Sequence, residues 1–173
     1  MQYMESGGFR NHRFMRLTLL WTTLFLAAFW ITNFAMYFDR MGLTPSSVQA
    51  YYLGSEVNFT SPKTFGAMLE VSHSHLPIQA VVILLLTHLL LFAPFKGETK
   101  LLFIYAAFAS SLTNEGSGWL IRFVHPNFAV LKIIAFLTLQ TTLAFLLISL
   151  GMFLYPGAGR MKRSASSGHK QKR

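Results

Sequence analysis

Cysteine is absent from this chain of 173 residues, and that absence removes several chemistries at once. Disulfides, iron–sulfur ligation, thiolate zinc sites and covalent attachment of c-type haem all require it. Acidic residues are nearly as scarce: Asp and Glu together number six, mostly between the apolar runs, which leaves little for hydrolysis. The sequence contains no phosphate loop, GxGxxG, GxSxG or HExxH. Its length leaves no room for a soluble catalytic domain, and it contains no internal repeat. The chain therefore reads as a non-catalytic or electron-carrier subunit rather than a stand-alone enzyme.

What is abundant is apolar. Hydrophobic residues make up 53% of the chain, Phe alone occurs 17 times, and charged residues are 12%, against about 25% in a soluble domain. A membrane protein is implied, with room for about four spans of about 20 residues each. The net charge of +9 is unevenly placed. Arg10, Arg13, Arg16, Lys96, Lys100, Arg160, Lys162, Arg163, Lys170, Lys172 and Arg173 flank apolar runs on one side of the bundle. Arg40 and Lys63 lie on the other, balanced by Asp39, Glu56 and Glu70. This positive-inside asymmetry predicts a multi-pass protein of the bacterial inner membrane with both termini cytoplasmic. Membrane lipid, and no nucleic acid, is the expected partner of the basic tail.

Residues 1–14 read as a cytoplasmic arm. Span one covers 15–38, with Trp21, Trp30, Tyr37 and Phe38 placed for aromatic belts; the run is too long for a signal peptide and is expected to stay as an anchor. In the outer loop, 39–75, Thr44-Pro45 and Ser61-Pro62 each look like a helix start, and Gly54 ends the first segment. Short interfacial helices are predicted there. Span two covers 76–95, with Pro77 in its first turn. Span three covers 101–124 only if Thr113–Gly118 lies within it, which predicts a broken or kinked helix. His125-Pro126-Asn127 makes an outer turn, span four covers 128–155, and 156–173 is a basic tail expected to be disordered. The predicted fold class is an all-α integral membrane four-helix bundle with short interfacial helices in the first outer loop.

An ionisable group inside a bilayer needs a partner or a task. His88, inside span two, suits a hydrogen-bonded neutral histidine, an axial haem ligand, or a proton-relay or quinone contact. His73 and His75 stand at the mouth of that span. In extended backbone they would point the same way, and with Glu70 and His125 they would form a copper or zinc set. Alternatively, His75 and His125 could clamp a haem near the outer surface. On a helix His75 and His88 are about 140° apart and His73 and His88 about 60°, so two stacked cofactors would have to use His73. Glu115, Trp119 and Arg122 fall at i, i+4 and i+7. Glu115 and Arg122 suit a structural ion pair, with Lys132 as the other candidate partner. Arg122 and Trp119 also suit a cofactor propionate or a quinone head. Gln140, with Thr138, Thr141 and Thr142, reads as an interhelical hydrogen-bonding strip.

The segments MLEVSHSHLP and THLLLF within Met68–Phe92, and GWLIRFVHPNFAVLKI at Gly118–Ile133, resemble small bacterial four-span inner-membrane proteins of unassigned function. Histidines on a four-helix bundle are also similar to b-type cytochrome membrane subunits, although spans one and four here lack an intramembrane histidine. The combined expectation is an inner-membrane subunit of an electron-transfer, respiratory-type complex. It would bind haem b or contact quinone through span-two histidines, alongside other membrane subunits and a periplasmic redox protein. The alternatives are a cofactor-free assembly subunit and a small copper- or zinc-binding membrane protein.

Overall fold

The computed structural model describes residues 13–154. Nearly all of the expected arm and the whole basic tail lie outside the described residues. The described chain runs α1 (Arg13–Arg40), α2 (Pro45–Leu53), α3 (Phe65–Leu90), α4 (Gly97–Phe123), a 3₁₀ turn (Pro126–Phe128) and α5 (Ala129–Leu154). The extended pairing among the described residues is one isolated bridge between Ser55 and Thr60. Three segments, Arg13–Arg40, Phe65–Leu90 and Pro126–Met152, are long and apolar enough to cross a membrane. At 27 residues, α4 is about 40 Å long, and it packs along α5 in the bundle. It carries the polar patch Thr113–Gly118 and is not among those three segments. The protein is an all-α membrane bundle.

Helix α2 forms where the sequence predicts it. The Thr44 side chain accepts from the Ser47 N–H at 3.3 Å, Pro45 opens the first turn, and Gly54 ends the helix at φ 84°. A Cβ on Gly54 would come within 2.5 Å of the Thr60 carbonyl oxygen, so glycine is required here. The second expected interfacial helix does not form separately. Thr64 caps α3, accepting from the Ala67 N–H at 3.2 Å, and the helix runs on through Pro77 to Leu90. The non-helical part of the 39–75 loop is therefore shorter than predicted, and the helix that carries span two starts at Phe65. Local rules place Pro77 in a first turn. In a membrane bundle a helix can instead pass through a proline, leaving the carbonyl of the residue four back, His73, without its usual amide partner. Helix α4 continues without a break through Thr113–Gly118, so of the broken or kinked helix expected there the break does not occur.

Two apolar clusters fill the bundle. One joins Leu26 of α1, Ile83, Leu86 and Leu90 of α3, Ala107 of α4 and Leu139 to Leu150 of α5. The other lies at the α2 end and gathers Tyr37, Met41, Val48, Tyr52, Met68, Ile121, Ala129 and Phe136. Helix α1 is fastened to α5 by Tyr37 stacked on Phe136, centroids 3.6 Å apart, and by Trp30 Nε1 donating to the Gln140 carbonyl at 3.1 Å. It does not pack closely on α3. The space left between α1 and α3 is where the polar residues collect.

Candidate functional site

Helical geometry sorts the residues of α3. Met68, Ser72, His75 and Gln79 recur at helical spacing and share the inward face, whereas Glu70 and His73 are exposed. Successive alternate residues on a helix are about 200° apart, so His73 and His75 point to opposite sides. The extended backbone expected around His73 would have aligned them; the helix separates them. Among the described residues no group of three or more His, Cys, Asp or Glu is placed to hold a metal ion, so Glu70, His73, His75 and His125 are not brought together. His125 is exposed, and its Nδ1 accepts from the Asn127 N–H at 3.2 Å. It shapes the turn between α4 and α5 and does not line the cavity that His75 faces.

His88 also moves relative to expectation. Because α3 ends at Leu90 and not at Phe95, His88 stands in its last turn, and it is exposed beside Phe92, ring centroids 5.6 Å apart. It lies about 20 Å along the helix from His75, so the two cannot share one haem.

The residues that do converge are on α3, α4 and α5. Glu115 Oε2 lies 3.4 Å from His75 Nδ1, and Glu115 Oε1 accepts from Ser72 Oγ at 2.5 Å. Ser72 Oγ in turn accepts from Trp119 Nε1 at 2.8 Å. On the next turns Ser111 Oγ donates to Gln79 Oε1. Lys132, 7% exposed, donates to the Asn114 carbonyl at 2.7 Å. The expected Glu115–Lys132 partnership is not a direct ion pair: Lys132 bonds the backbone carbonyl of the residue before Glu115, and His75 is the direct contact. Arg122 is not part of this group: its Nε donates to the Lys63 carbonyl at 2.7 Å and ties the loop after α2 to α4. Trp119 acts through Ser72 and packs against Phe65 and Phe123. Neither Arg122 nor Trp119 lines the cavity that His75 and Glu115 face.

His75, Gln79, Asn114, Glu115 and Lys132 line a cavity of about 520 Å³ bounded by α1, α2, α3, α4 and α5, within the few hundred to about 1,000 Å³ typical of small-molecule sites. Phe29, Met36, Val71 and Ile78 supply apolar walls, while Asn33, Gln79, Asn114 and Glu115 supply polar ones. Asn114 Oδ1 is buried with no hydrogen-bond partner. Tyr52 closes the α2 end, and burial pushes its phenol well above the usual tyrosine range. Its ring packs on Gly118, where a Cβ would come within 2.9 Å of the hydroxyl. Ser72, Gln79 and Asn33 were not singled out from sequence. Gln79 carried a usable signal, an amide within an apolar helix; Ser72 did not, because its membership of α3 was hidden by Pro77.

Residues 42–161 match a family model described as a transmembrane helical domain. The matched stretch takes in α2 to α5, and α1 precedes it. No curated protein and no solved structure matches the chain.

Proposed function

The chain belongs to this family of transmembrane helical domains, and on that premise we propose that it is a quinone-contacting membrane subunit of an electron-transfer complex. The observation that carries the reading is the part-buried His75–Glu115 pair, 3.4 Å apart, facing the cavity. An ion-forming pair inside a bilayer is costly and marks a site that uses it. A quinone head is a flat apolar ring with carbonyl acceptors, which matches walls of Phe29, Met36, Val71 and Ile78 around donors such as His75. Reduction to the quinol consumes two electrons and two protons. Electrons would arrive from a partner redox subunit, while His75 would pass protons to the carbonyl and be resupplied through Glu115. A b-type haem at His88 would need its second ligand from another subunit, since His88 is exposed outside the cavity.

The test is titration of the detergent-purified protein with a short-chain benzoquinone or naphthoquinone, with bound quinone counted by native mass spectrometry. Saturable binding of one quinone per chain is expected. His75→Ala and Glu115→Gln should each weaken it about tenfold or more, equivalent to about 1.4 kcal/mol. Non-saturating uptake, or equal uptake by both variants, overturns the reading in favour of a cofactor-free assembly subunit.

A further inference from the structure

The mouth of the cavity has a different chemistry from its interior. Arg40, the last residue of α1, donates through Nη1 to the Tyr51 hydroxyl at 3.3 Å. Lys63 comes to the same ring from the loop after α2, its Nζ lying 4.5 Å from the ring centroid. The Lys63 backbone is held on both sides: its N–H donates to the Tyr52 carbonyl at 3.0 Å, and its carbonyl accepts from Arg122 Nε at 2.7 Å. Two cations on separate elements are thus aimed at one tyrosine. The ion pair found among the described residues is His75–Glu115, so neither Arg40 nor Lys63 has a carboxylate within pairing distance there. Around the cavity, Arg40, Lys63 and Lys132 face a single carboxylate, Glu115, which His75 and Lys132 already serve.

Position completes the argument. Arg40 ends α1 and Lys63 just precedes α3, so both stand at the end of spanning helices, at headgroup level. Directly beneath them α1 and α3 are separated by the cavity rather than packed together. The facing side chains, Phe29 and Met36 against Val71 and Ile78, form an apolar slot that opens below a pair of unpaired cations. An acyl chain below an anionic head has the complementary form.

We propose that Arg40 and Lys63 bind the phosphate of an anionic phospholipid whose acyl chain lies in the slot between α1 and α3. Interfacial lysines and arginines attract anionic lipid in general. What distinguishes this pair is its convergence on Tyr51, its lack of a carboxylate, and the slot beneath it. Guanidinium and ammonium together suit a phosphate, the guanidinium as a fork and the ammonium as a point charge. The acyl chain would use the walls Phe29, Met36, Val71 and Ile78 that the quinone reading also uses, so lipid and quinone would compete for the cavity; the lipid proposal rests on Arg40 and Lys63 and is tested with no quinone present.

The experiment equilibrates the purified full chain with mixed micelles of equal phosphatidylglycerol and phosphatidylcholine, adds no quinone, and counts lipids retained per chain after detergent washing. Phosphatidylglycerol should be retained at one per chain and enriched about fivefold or more over phosphatidylcholine. The double variant Arg40→Gln/Lys63→Gln should lose that enrichment, whereas Arg40→Lys/Lys63→Arg, which keeps both charges, should preserve it. Equal retention of the two lipids by the native chain overturns the proposal, as does unchanged enrichment in the glutamine variant or its loss in the charge-preserving one. An added arm supplies inorganic phosphate. Displacement of the lipid at millimolar phosphate would make a soluble anion the ligand and would overturn the lipid assignment.

Discussion

Lys132 and Glu115 show how single residues carry this site. Lys132 is 7% exposed and spends a hydrogen bond on the Asn114 carbonyl, while Glu115 is held by His75 and Ser72. No ion pair joins the two directly, and both line the same cavity; breaking a buried pair costs about 3–5 kcal/mol, and a smaller cost is expected here. Lys132→Met and Glu115→Gln should each lower the thermal unfolding midpoint in detergent, and the double variant should cost less than their sum. A coupling near zero would show that the two charges do not depend on each other. Gly118 gives a second prediction. Alanine favours helix over glycine by about 1 kcal/mol, yet here its Cβ would meet the Tyr52 ring at 3.0 Å. Gly118→Ala should therefore destabilise by about 1–3 kcal/mol, and Gly118→Ala/Tyr52→Ala should relieve the clash. A rise in the melting midpoint of Gly118→Ala would contradict this packing.

Among the elements, α3 decides most of the site. Its start at Phe65 and passage through Pro77 turn Ser72, His75 and Gln79 onto one face and leave Glu70 and His73 outside. Pro77→Ala should restore an amide donor to the His73 carbonyl and slow hydrogen exchange in residues 73–81. With a proline costing about 3 kcal/mol in a helix interior, the variant should be the more stable one. A less stable variant would mean that the backbone shape at Pro77 is needed to seat His75 against Glu115. This is also where sequence reasoning fell short. Ser61-Pro62 and Pro77 both look like first-turn prolines, and local rules place each at a boundary. Membrane packing overrides the second, because neighbouring helices stabilise a helix that crosses a proline. The α2 boundaries, by contrast, depend on Thr44, Pro45 and Gly54 alone and were legible.

For the whole molecule, the charge asymmetry of the sequence predicts α2 and its loop outside and the α3–α4 connection inside. The natural absence of cysteine makes this directly testable. Ser61→Cys should react with a membrane-impermeant maleimide in intact cells, and Glu98→Cys only after permeabilisation. The reverse pattern would invert the orientation, and labelling of both without permeabilisation would mean that α3 does not cross. Helix α1 stands apart at this scale: it precedes the family match at 42–161, is fastened to α5, and forms one wall of the cavity through Phe29, Asn33 and Met36.

Composition and local pattern were enough to establish a membrane chain of long apolar helices with α2 lying between the first two, because bilayer thickness and capping chemistry act on consecutive residues. Glu115 and Lys132 could also be marked as residues needing partners, since charge in hydrocarbon is costly wherever it sits. Which partners they took was decided only in three dimensions. His75 rather than Arg122 meets Glu115, and Arg122 reaches the Lys63 carbonyl instead. Those choices depend on the rotation of α3 about its axis and on the close approach of α4 and α5, and neither is encoded in the neighbours of any single residue.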